Sequence, residues 1–308
     1  MNKLQNPAYL VVCYNESGFC RSIHFNTEYD ARAWVEENRA NYTKLVVEKN
    51  VDGEWRPDRK RFVIVAWPRT GSTHLVQLLN GHGEILCHGE IFQSQLPGIP
   101  LRWPDADKDP GAIGDLVNLR SQSPGMFLDR VWSRDYGHEC IGFKIFPGHN
   151  DEVLEKLTHD SSVRKIVLMR RNVLAAYSSA MIARFTGERL RLLSRSELEW
   201  RGAVRFEAEQ FLPFSVAYRN FYNNIFERLQ EDGQPLHLQL YEQINDSDQI
   251  GRLVRFIGAK PVGPLASRLR KQNSADILSR FSNPDDVSRF LETHKLDWGS
   301  EPMRTDEI

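Results

Sequence analysis

A short loop near position 70 carries the residues that most clearly predict chemistry. Pro68 and Gly71 interrupt an apolar run, and Ser72 and Thr73 follow at the start of a helical pattern. The first turn of a helix presents unpaired backbone N–H groups and the positive end of the helix dipole. Arg69 adds a full positive charge at the same place. The segment therefore predicts a strand, a tight loop and a helix that together bind an anionic group.

The amino-acid sequence of the loop indicates which anion it binds. The loop that holds ATP or GTP in many proteins is G-x-x-x-x-G-K-[ST], and both the first Gly and the Lys are missing here. The segment Pro68 to Leu75 instead resembles the P-[RK]-[ST]-G-[ST]-[ST]-x-L loop of sulfotransferases. These enzymes use 3′-phosphoadenosine 5′-phosphosulfate (PAPS) as the sulfuryl donor. The resemblance implies that the loop residues bind PAPS, namely Arg69, Thr70, Gly71, Ser72, Thr73 and His74.

PAPS has two anionic ends, so a protein that binds it needs a second positively charged position. Arg171 follows the apolar run Val163 to Met169, and Ser179 comes eight residues later. This spacing resembles the family's 3′-phosphate motif, in which a guanidinium can bind phosphate through two parallel hydrogen bonds. The basic stretch Arg268 to Asn273 resembles the family's cofactor-closing loop only loosely, and it implies a contact from Lys271.

Sulfuryl transfer to a hydroxyl or amine needs a base that removes the acceptor's proton. Glu90 is the first candidate, because carbohydrate and tyrosylprotein sulfotransferases have a glutamate base after the loop helix. The sequence from Gly89 to Phe92 also resembles the corresponding sequence of nodulation-factor-type enzymes. His149 is the second candidate, because phenol and steroid sulfotransferases use a His after a strand that bears a Lys, here Lys144. His88 is a third, and Lys144 itself is predicted to reach the transferring group.

Apolar runs alternate with helical patterns through most of the chain, and this alternation predicts an α/β fold. We expect a P-loop-NTPase-like parallel sheet flanked by helices, with ligands at the carboxyl ends of its strands. The runs that predict buried strands are Phe62 to Ala66, Cys140 to Phe146, Val163 to Met169 and Leu236 to Tyr241. The region Pro97 to Asp115 is predicted to be an irregular loop, and Pro213 predicts a kink or break in a long helix.

The predicted organisation is a small α+β unit over residues 1–58 and a sulfotransferase α/β domain over residues 59–308. In the first unit, a hairpin of Tyr9 to Tyr14 with Phe19 to Phe25 is followed by a helix and a third strand. This hairpin would place Cys13 directly opposite Cys20. We find no catalytic constellation in the first unit.

Composition narrows the choice of partners. The 308 residues include 40 basic and 41 acidic ones, which does not suggest nucleic-acid binding. The four cysteines lack the spacing of metal ligands, so no metal is expected. No apolar run approaches the roughly 20 residues of a membrane-spanning helix, and the start lacks a signal-peptide pattern. We expect a cytoplasmic protein with a small-molecule or glycan acceptor, and its oligomeric state stays open.

Two other functions stay open at this stage. A P-loop-like nucleotide kinase would need a magnesium ion and a carboxylate to hold it. A non-catalytic nucleotide-binding scaffold would act through residues 1–58. A carbohydrate or glycolipid hydroxyl is the acceptor that the sulfotransferase resemblance favours.

Overall fold

The computed structural model describes residues 8–16, 18–51, 54–57, 59–94, 100–101, 110–186, 203–267, 269 and 274–294. The chain divides into two compact units, Met1–Arg59 and Lys60–Ile308. Each unit has its own sheet, and the described residues form one hydrophobic cluster in the first unit and two in the second.

The first unit is a four-stranded antiparallel sheet covered by one helix. Its elements are β1 (Tyr9–Asn15), β2 (Gly18–Phe25), α1 (Glu28–Asn38), β3 (Lys44–Val51) and β4 (Glu54–Pro57). The strand order is β2-β1-β3-β4, and β4 is a strand that the sequence did not predict. Alternate residues of β1 point toward the helix because side chains of a strand alternate between its faces, and Val11 packs with Ala31 of α1. The predicted small α+β unit is confirmed.

The register of this hairpin corrects one expectation. Cys13 lies opposite Arg21, and an irregularity follows between Cys13 and Tyr14. The prediction that Cys13 directly opposes Cys20 is therefore wrong. A bulge inserts an extra residue into one strand, and alternation alone does not reveal where that occurs.

The second unit is built on a five-stranded parallel sheet. Its strands are β5 (Lys60–Ala66), β6 (Ile85–Cys87), β7 (Cys140–Ile145), β8 (Val163–Met169) and β9 (Leu236–Leu240). The order is β6-β7-β5-β8-β9, and each neighbouring pair is parallel. Its helices are α2 (Ser72–Leu79), α3 (Pro110–Gln122), α4 (Pro124–Trp132), α5 (Asp151–His159), α6 (Val173–Thr186), α7 (Ala208–Glu231), α8 (Ser247–Ile257) and α9 (Pro284–Thr293). The predicted parallel sheet flanked by helices is confirmed.

The central strand β5 is buried on both faces, which explains its continuous apolar sequence. Val63 and Val65 belong to one hydrophobic cluster, whereas Phe62 and Ile64 belong to the other. The second cluster also contains the buried residues of α2 and α8. Both helices therefore lie on the same face of the sheet as the even-numbered residues of β5.

Two predictions about irregular structure need correction. The helix α7 is not broken at Pro213, which lies inside it. The proline removes a single backbone donor near the start of a helix whose Phe211, Tyr218 and Tyr222 are fully buried, and this packing holds the helix together. The region Pro97 to Asp115 is not a loop throughout, because α3 begins at Pro110.

Some predicted features lie outside the described residues, namely Lys271 and most of the basic stretch 268–273. Among the helices that the structure describes, none combines the length and apolar character needed to cross a membrane.

Close packing between β5 and β7 generates the first testable prediction. A Cβ atom on Gly142 would lie 2.3 Å from the ring of Phe62, which is fully buried. We expect Gly142→Ala to lower the free energy of unfolding by about 1–3 kcal/mol, because the ring has no space to move. Urea unfolding measures this effect. Gly114→Ala is the control, since a Cβ there meets nothing within 4 Å, and an equal loss in both variants would contradict the packing argument.

Candidate anion-binding and catalytic site

The candidate site lies at one edge of the sheet because parallel strands share the direction of their carboxyl ends. The anion-binding loop follows β5, and His149 lies in the turn after β7. Arg171 follows β8, and Tyr241 follows β9. Residues from distant parts of the sequence therefore meet at this edge.

The loop after β5 has a backbone suited to present N–H groups at one point. Arg69 and Gly71 have φ angles of 71° and 85°, and Gly71 is the N-cap residue of α2. Such angles disfavour any residue other than Gly, so Arg69 is a strained position of the kind found at functional sites. The hydroxyl of Thr70 donates a hydrogen bond of 2.7 Å to the carbonyl of Trp67. Thr70 is fully buried, so its side chain shapes the loop from inside.

Gly71 also lets an aromatic ring approach the loop. A Cβ atom at this position would lie 2.6 Å from Cδ2 of Tyr241. The glycine is therefore needed twice, for its backbone angle and for this contact.

Lys144 joins the loop to the candidate base. Its Nζ donates hydrogen bonds to Oγ1 of Thr73 at 2.7 Å and to Oγ of Ser72 at 3.3 Å. The same Nζ lies 3.0 Å from Oε1 of Glu90. Lys144 is buried, and burial lowers its pKa while Glu90 opposes that shift. The ammonium group thus carries positive charge to the point where the loop and the carboxylate meet.

His149 lies on the other side of the same carboxylate. Its Nε2 is 3.8 Å from Oε2 of Glu90, which is longer than a hydrogen bond. Its Nδ1 accepts a hydrogen bond of 3.3 Å from the backbone N–H of Phe146. In the neutral imidazole the proton must then be on Nε2, facing Glu90. Burial lowers the pKa of His149; the negative charge of Glu90 opposes this shift, and the positive charge of Lys144 adds to it. The net direction is downward, so the neutral form dominates at pH 7.

The two predicted anion-binding motifs contact each other. Nε of Arg69 donates a hydrogen bond of 3.1 Å to Oγ of Ser179. Ser179 is buried on α6, whereas Arg171 is half-buried at the end of β8. The backbone N–H of Arg171 lies 3.5 Å from a carboxylate oxygen of Glu242. The structure therefore brings Arg69 and Ser179 together.

The remaining predicted residues have different positions. Nε2 of His74 is 2.8 Å from Oδ1 of Asn245, which follows β9. His88 is completely buried, so it is not open to an acceptor and is the weakest of the three candidate bases.

Three residues of this edge were missed by the sequence analysis: Tyr241, Arg170 and Arg280. A signal existed for both Tyr241 and Arg170, because Tyr241 is the last residue of a predicted strand and Arg170 directly follows another. No local pattern indicates Arg280, which reaches α6 from a distant part of the sequence.

The site combines a candidate anion-binding loop with an adjacent carboxylate at the carboxyl edge of a parallel α/β sheet. No family model matches the chain. The chain is 31% identical over 135 residues to Nodulation protein H of Rhizobium tropici, covering 44% of this chain and 51% of that protein. It is 29% identical over 138 residues to Nodulation protein H of Rhizobium meliloti (strain 1021), covering 44% and 52%. The chain thus spans about half the length of these relatives, and the predicted resemblance to nodulation-factor-type proteins is confirmed.

Solved structures give weaker similarities. A sulfotransferase from Alicyclobacillus acidocaldarius has 16% identity and a TM-score of 0.43, covering 76% of this chain and 92% of that one. The sulfotransferase domain of the Synechococcus PCC 7002 olefin synthase has 15% identity and a TM-score of 0.39, covering 82% and 93%. TM-scores of this size support no conclusion about function.

The environment of His149 generates a prediction about pH. Because burial holds its folded-state pKa below the usual 6.5, the unfolded chain binds more protons than the folded protein below that pH. Its contribution to stability is complete above about pH 6.5 and is lost as the pH falls through the lower folded pKa. We expect His149→Gln to reduce the fall in stability between about pH 6.5 and 5 by at most about 1.4 kcal/mol per pH unit.

Urea midpoints at several pH values measure this difference. His294→Gln, which changes an exposed histidine, is the control and should follow the wild type. A His149→Gln profile parallel to that of the wild type would show that His149 is readily protonated in the folded protein.

Proposed function

We propose that the protein is a sulfotransferase that moves a sulfuryl group from PAPS to an acceptor hydroxyl. The observation that carries the proposal is the position of Lys144, whose ammonium contacts both the hydroxyls of the anion-binding loop and the carboxylate of Glu90. A reacting group held by the loop would therefore lie beside a proton acceptor. Transfer reactions of this kind depend mainly on positioning and charge stabilisation.

The donor would be held by the loop and by the two arginines of the predicted motifs. The backbone N–H groups at the start of α2, with Arg69, suit the 5′-phosphate. Arg171 and Ser179 suit the 3′-phosphate, because guanidinium and hydroxyl groups both donate hydrogen bonds to phosphate oxygens. The bond between Arg69 and Ser179 supports one continuous site for both ends.

In this reaction Glu90 accepts the proton of the acceptor hydroxyl as the acceptor oxygen bonds to sulfur. The bond between sulfur and the 5′-phosphate oxygen breaks, and negative charge accumulates on that leaving oxygen. Lys144 and the loop N–H groups neutralise this charge. The contact with Lys144 holds the carboxyl group of Glu90 beside the loop.

The tautomer of His149 favours Glu90 over His149 as the base. The lone pair of Nδ1 is occupied by the N–H of Phe146, and Nε2 carries a proton toward Glu90. We assign His149 the role of positioning the carboxylate. Lys144 on one oxygen and His149 near the other would restrict the rotation of Glu90.

The class of acceptor rests on resemblance alone. Because the sequence around Glu90 resembles nodulation-factor-type enzymes, we propose a hydroxyl of a carbohydrate or glycolipid. A transfer assay with labelled PAPS and a panel of glycans, glycolipids, phenols and peptides tests this choice. Transfer to phenols or peptides alone would contradict the carbohydrate assignment.

Nucleotide binding can be tested separately from transfer. We expect adenosine 3′,5′-bisphosphate to protect the protein from thermal unfolding much more than ADP does. Arg69→Ala and Arg171→Ala should each weaken its binding by about 1.5–3 kcal/mol, because each removes a charge-assisted hydrogen bond. Arg252→Ala, which changes an exposed residue of α8, is the control. Equal protection by both nucleotides would speak for the alternative kinase function.

Turnover with an accepted substrate tests the base. Glu90→Gln should lower kcat by about two to four orders of magnitude and leave nucleotide binding intact, because only proton removal is lost. His149→Gln should lower kcat by about tenfold, since it weakens positioning alone. The exposed Glu155→Gln on α5 is the control. If His149→Gln lost more activity than Glu90→Gln, the two roles would have to be exchanged.

A further inference from the structure

Two buried arginines, Arg170 and Arg280, lie at the candidate site. Arg170 is 7% exposed and Arg280 is 3% exposed. Among the residues that the structure describes, no carboxylate lies within ion-pair distance of either guanidinium. Buried charges are normally paired, so two such cations in one region need an explanation.

Of the two guanidinium groups, that of Arg170 has the less complete set of hydrogen bonds among the described residues. Its Nε has no hydrogen-bond partner among the described residues. Its guanidinium carbon lies 4.2 Å from the centroid of the Tyr241 ring, which gives a cation–π contact. That ring packs against Gly71 of the anion-binding loop. Arg170 therefore contacts Tyr241, which in turn contacts the anion-binding loop.

The hydrogen bonds of Arg280 within the described part of the chain all go to neutral acceptors. Its Nε donates to the carbonyl of Ser274 at 2.9 Å. Its Nη1 lies 3.2 Å from Oγ of Ser178 and 3.4 Å from the carbonyl of Ala175 in α6. Ser178 is the neighbour of Ser179, the serine of the predicted 3′-phosphate motif. Arg280 thus brings its charge to that motif from a distant segment.

The two guanidiniums affect each other. Burial is the main cause that lowers the pKa of Arg280 to about 10, and the positive charge of Arg170 is the second, while Tyr241 and Asp276 oppose the shift. Burial also lowers the pKa of Arg170, while Tyr241 and Glu242 oppose that shift. Both arginines remain charged at neutral pH. The fold therefore keeps two like charges in one poorly solvated region.

We propose that Arg170 and Arg280 form an inner cationic pair whose counter-charge is a bound phosphate dianion. This inference rests on the proposed function, because it takes that dianion to be the 3′-phosphate of the nucleotide. The pair lies behind the predicted contacts of Arg171 and Ser179 and raises the positive potential there. An electrostatic contribution of this kind grows with ligand charge, so it selects nucleotides that carry the second phosphate.

The proposal predicts an unusual combination of effects for Arg170→Met. Because the variant removes a buried charge that has no carboxylate within ion-pair distance among the described residues, we expect the Tm of the nucleotide-free protein to stay the same or to rise by about 2–4 °C. The ratio of the Kd values for adenosine 5′-phosphate and adenosine 3′,5′-bisphosphate should fall by about 10- to 100-fold. Calorimetric titration of the full chain with each nucleotide measures the ratio.

Two further variants separate this role from a purely structural one. Lys165→Met removes a buried cation from the opposite end of the same strand and should leave the ratio unchanged. Arg170→Lys keeps the charge and should keep at least a third of the wild-type ratio, and it serves as the test if Arg170→Met does not fold.

The outcomes distinguish the inference from the proposed function. A wild-type protein without preference for the bisphosphate would overturn both. A wild-type preference that Arg170→Met retains would overturn the inference alone. Loss of the preference in Arg170→Lys, or an equal loss in Lys165→Met, would also overturn it, because the effect would not then follow the charge at position 170.

Discussion

The ammonium group of Lys144 is the centre on which the candidate site depends. Transferring this charge out of water is unfavourable, and the carboxylate of Glu90 with the hydroxyls of Ser72 and Thr73 offsets that loss. Removing one of these partners would leave the remaining buried polar groups with incomplete hydrogen bonding. The loop, the candidate base and strand β7 are thus held as one hydrogen-bonded unit.

Sheet geometry explains how Lys144 reaches this position. In the parallel register Lys144 is the partner of Ile64, so its side chain lies on the face covered by α2. Gly142, two residues earlier on that face, leaves space for the ring of Phe62. The same strand therefore combines close packing at its centre with a charged group at its carboxyl end, where α2 begins.

Several features at this edge of the sheet are energetically unfavourable in the folded chain. Arg69 has a positive φ angle, and the cations of Arg170 and Arg280 are buried without a carboxylate at ion-pair distance in the described part of the chain. None of these features is expected to stabilise the folded chain by itself. Functional sites often depart from optimal stability because groups prepared for a ligand are incompletely satisfied before it binds. The rest of the sheet, with its two apolar clusters, provides the compensating stability.

Much of the fold could be predicted from the sequence because the deciding signals are local. Apolar runs of strand length, the turn residues Pro68 and Gly71 and the start of α2 each depend on a few consecutive residues. The limits of β8 agree with its apolar run for this reason, whereas the bulge after Cys13 and the continuity of α7 through Pro213 depend on packing. The sequence by itself determined a parallel α/β sheet, the place of a candidate anion-binding loop in it and a short set of candidate side chains. Only the tertiary structure decided that Lys144 joins Glu90 to the loop and that Arg280 reaches α6, because contacts between distant residues are set by strand register and helix packing, which no short pattern encodes.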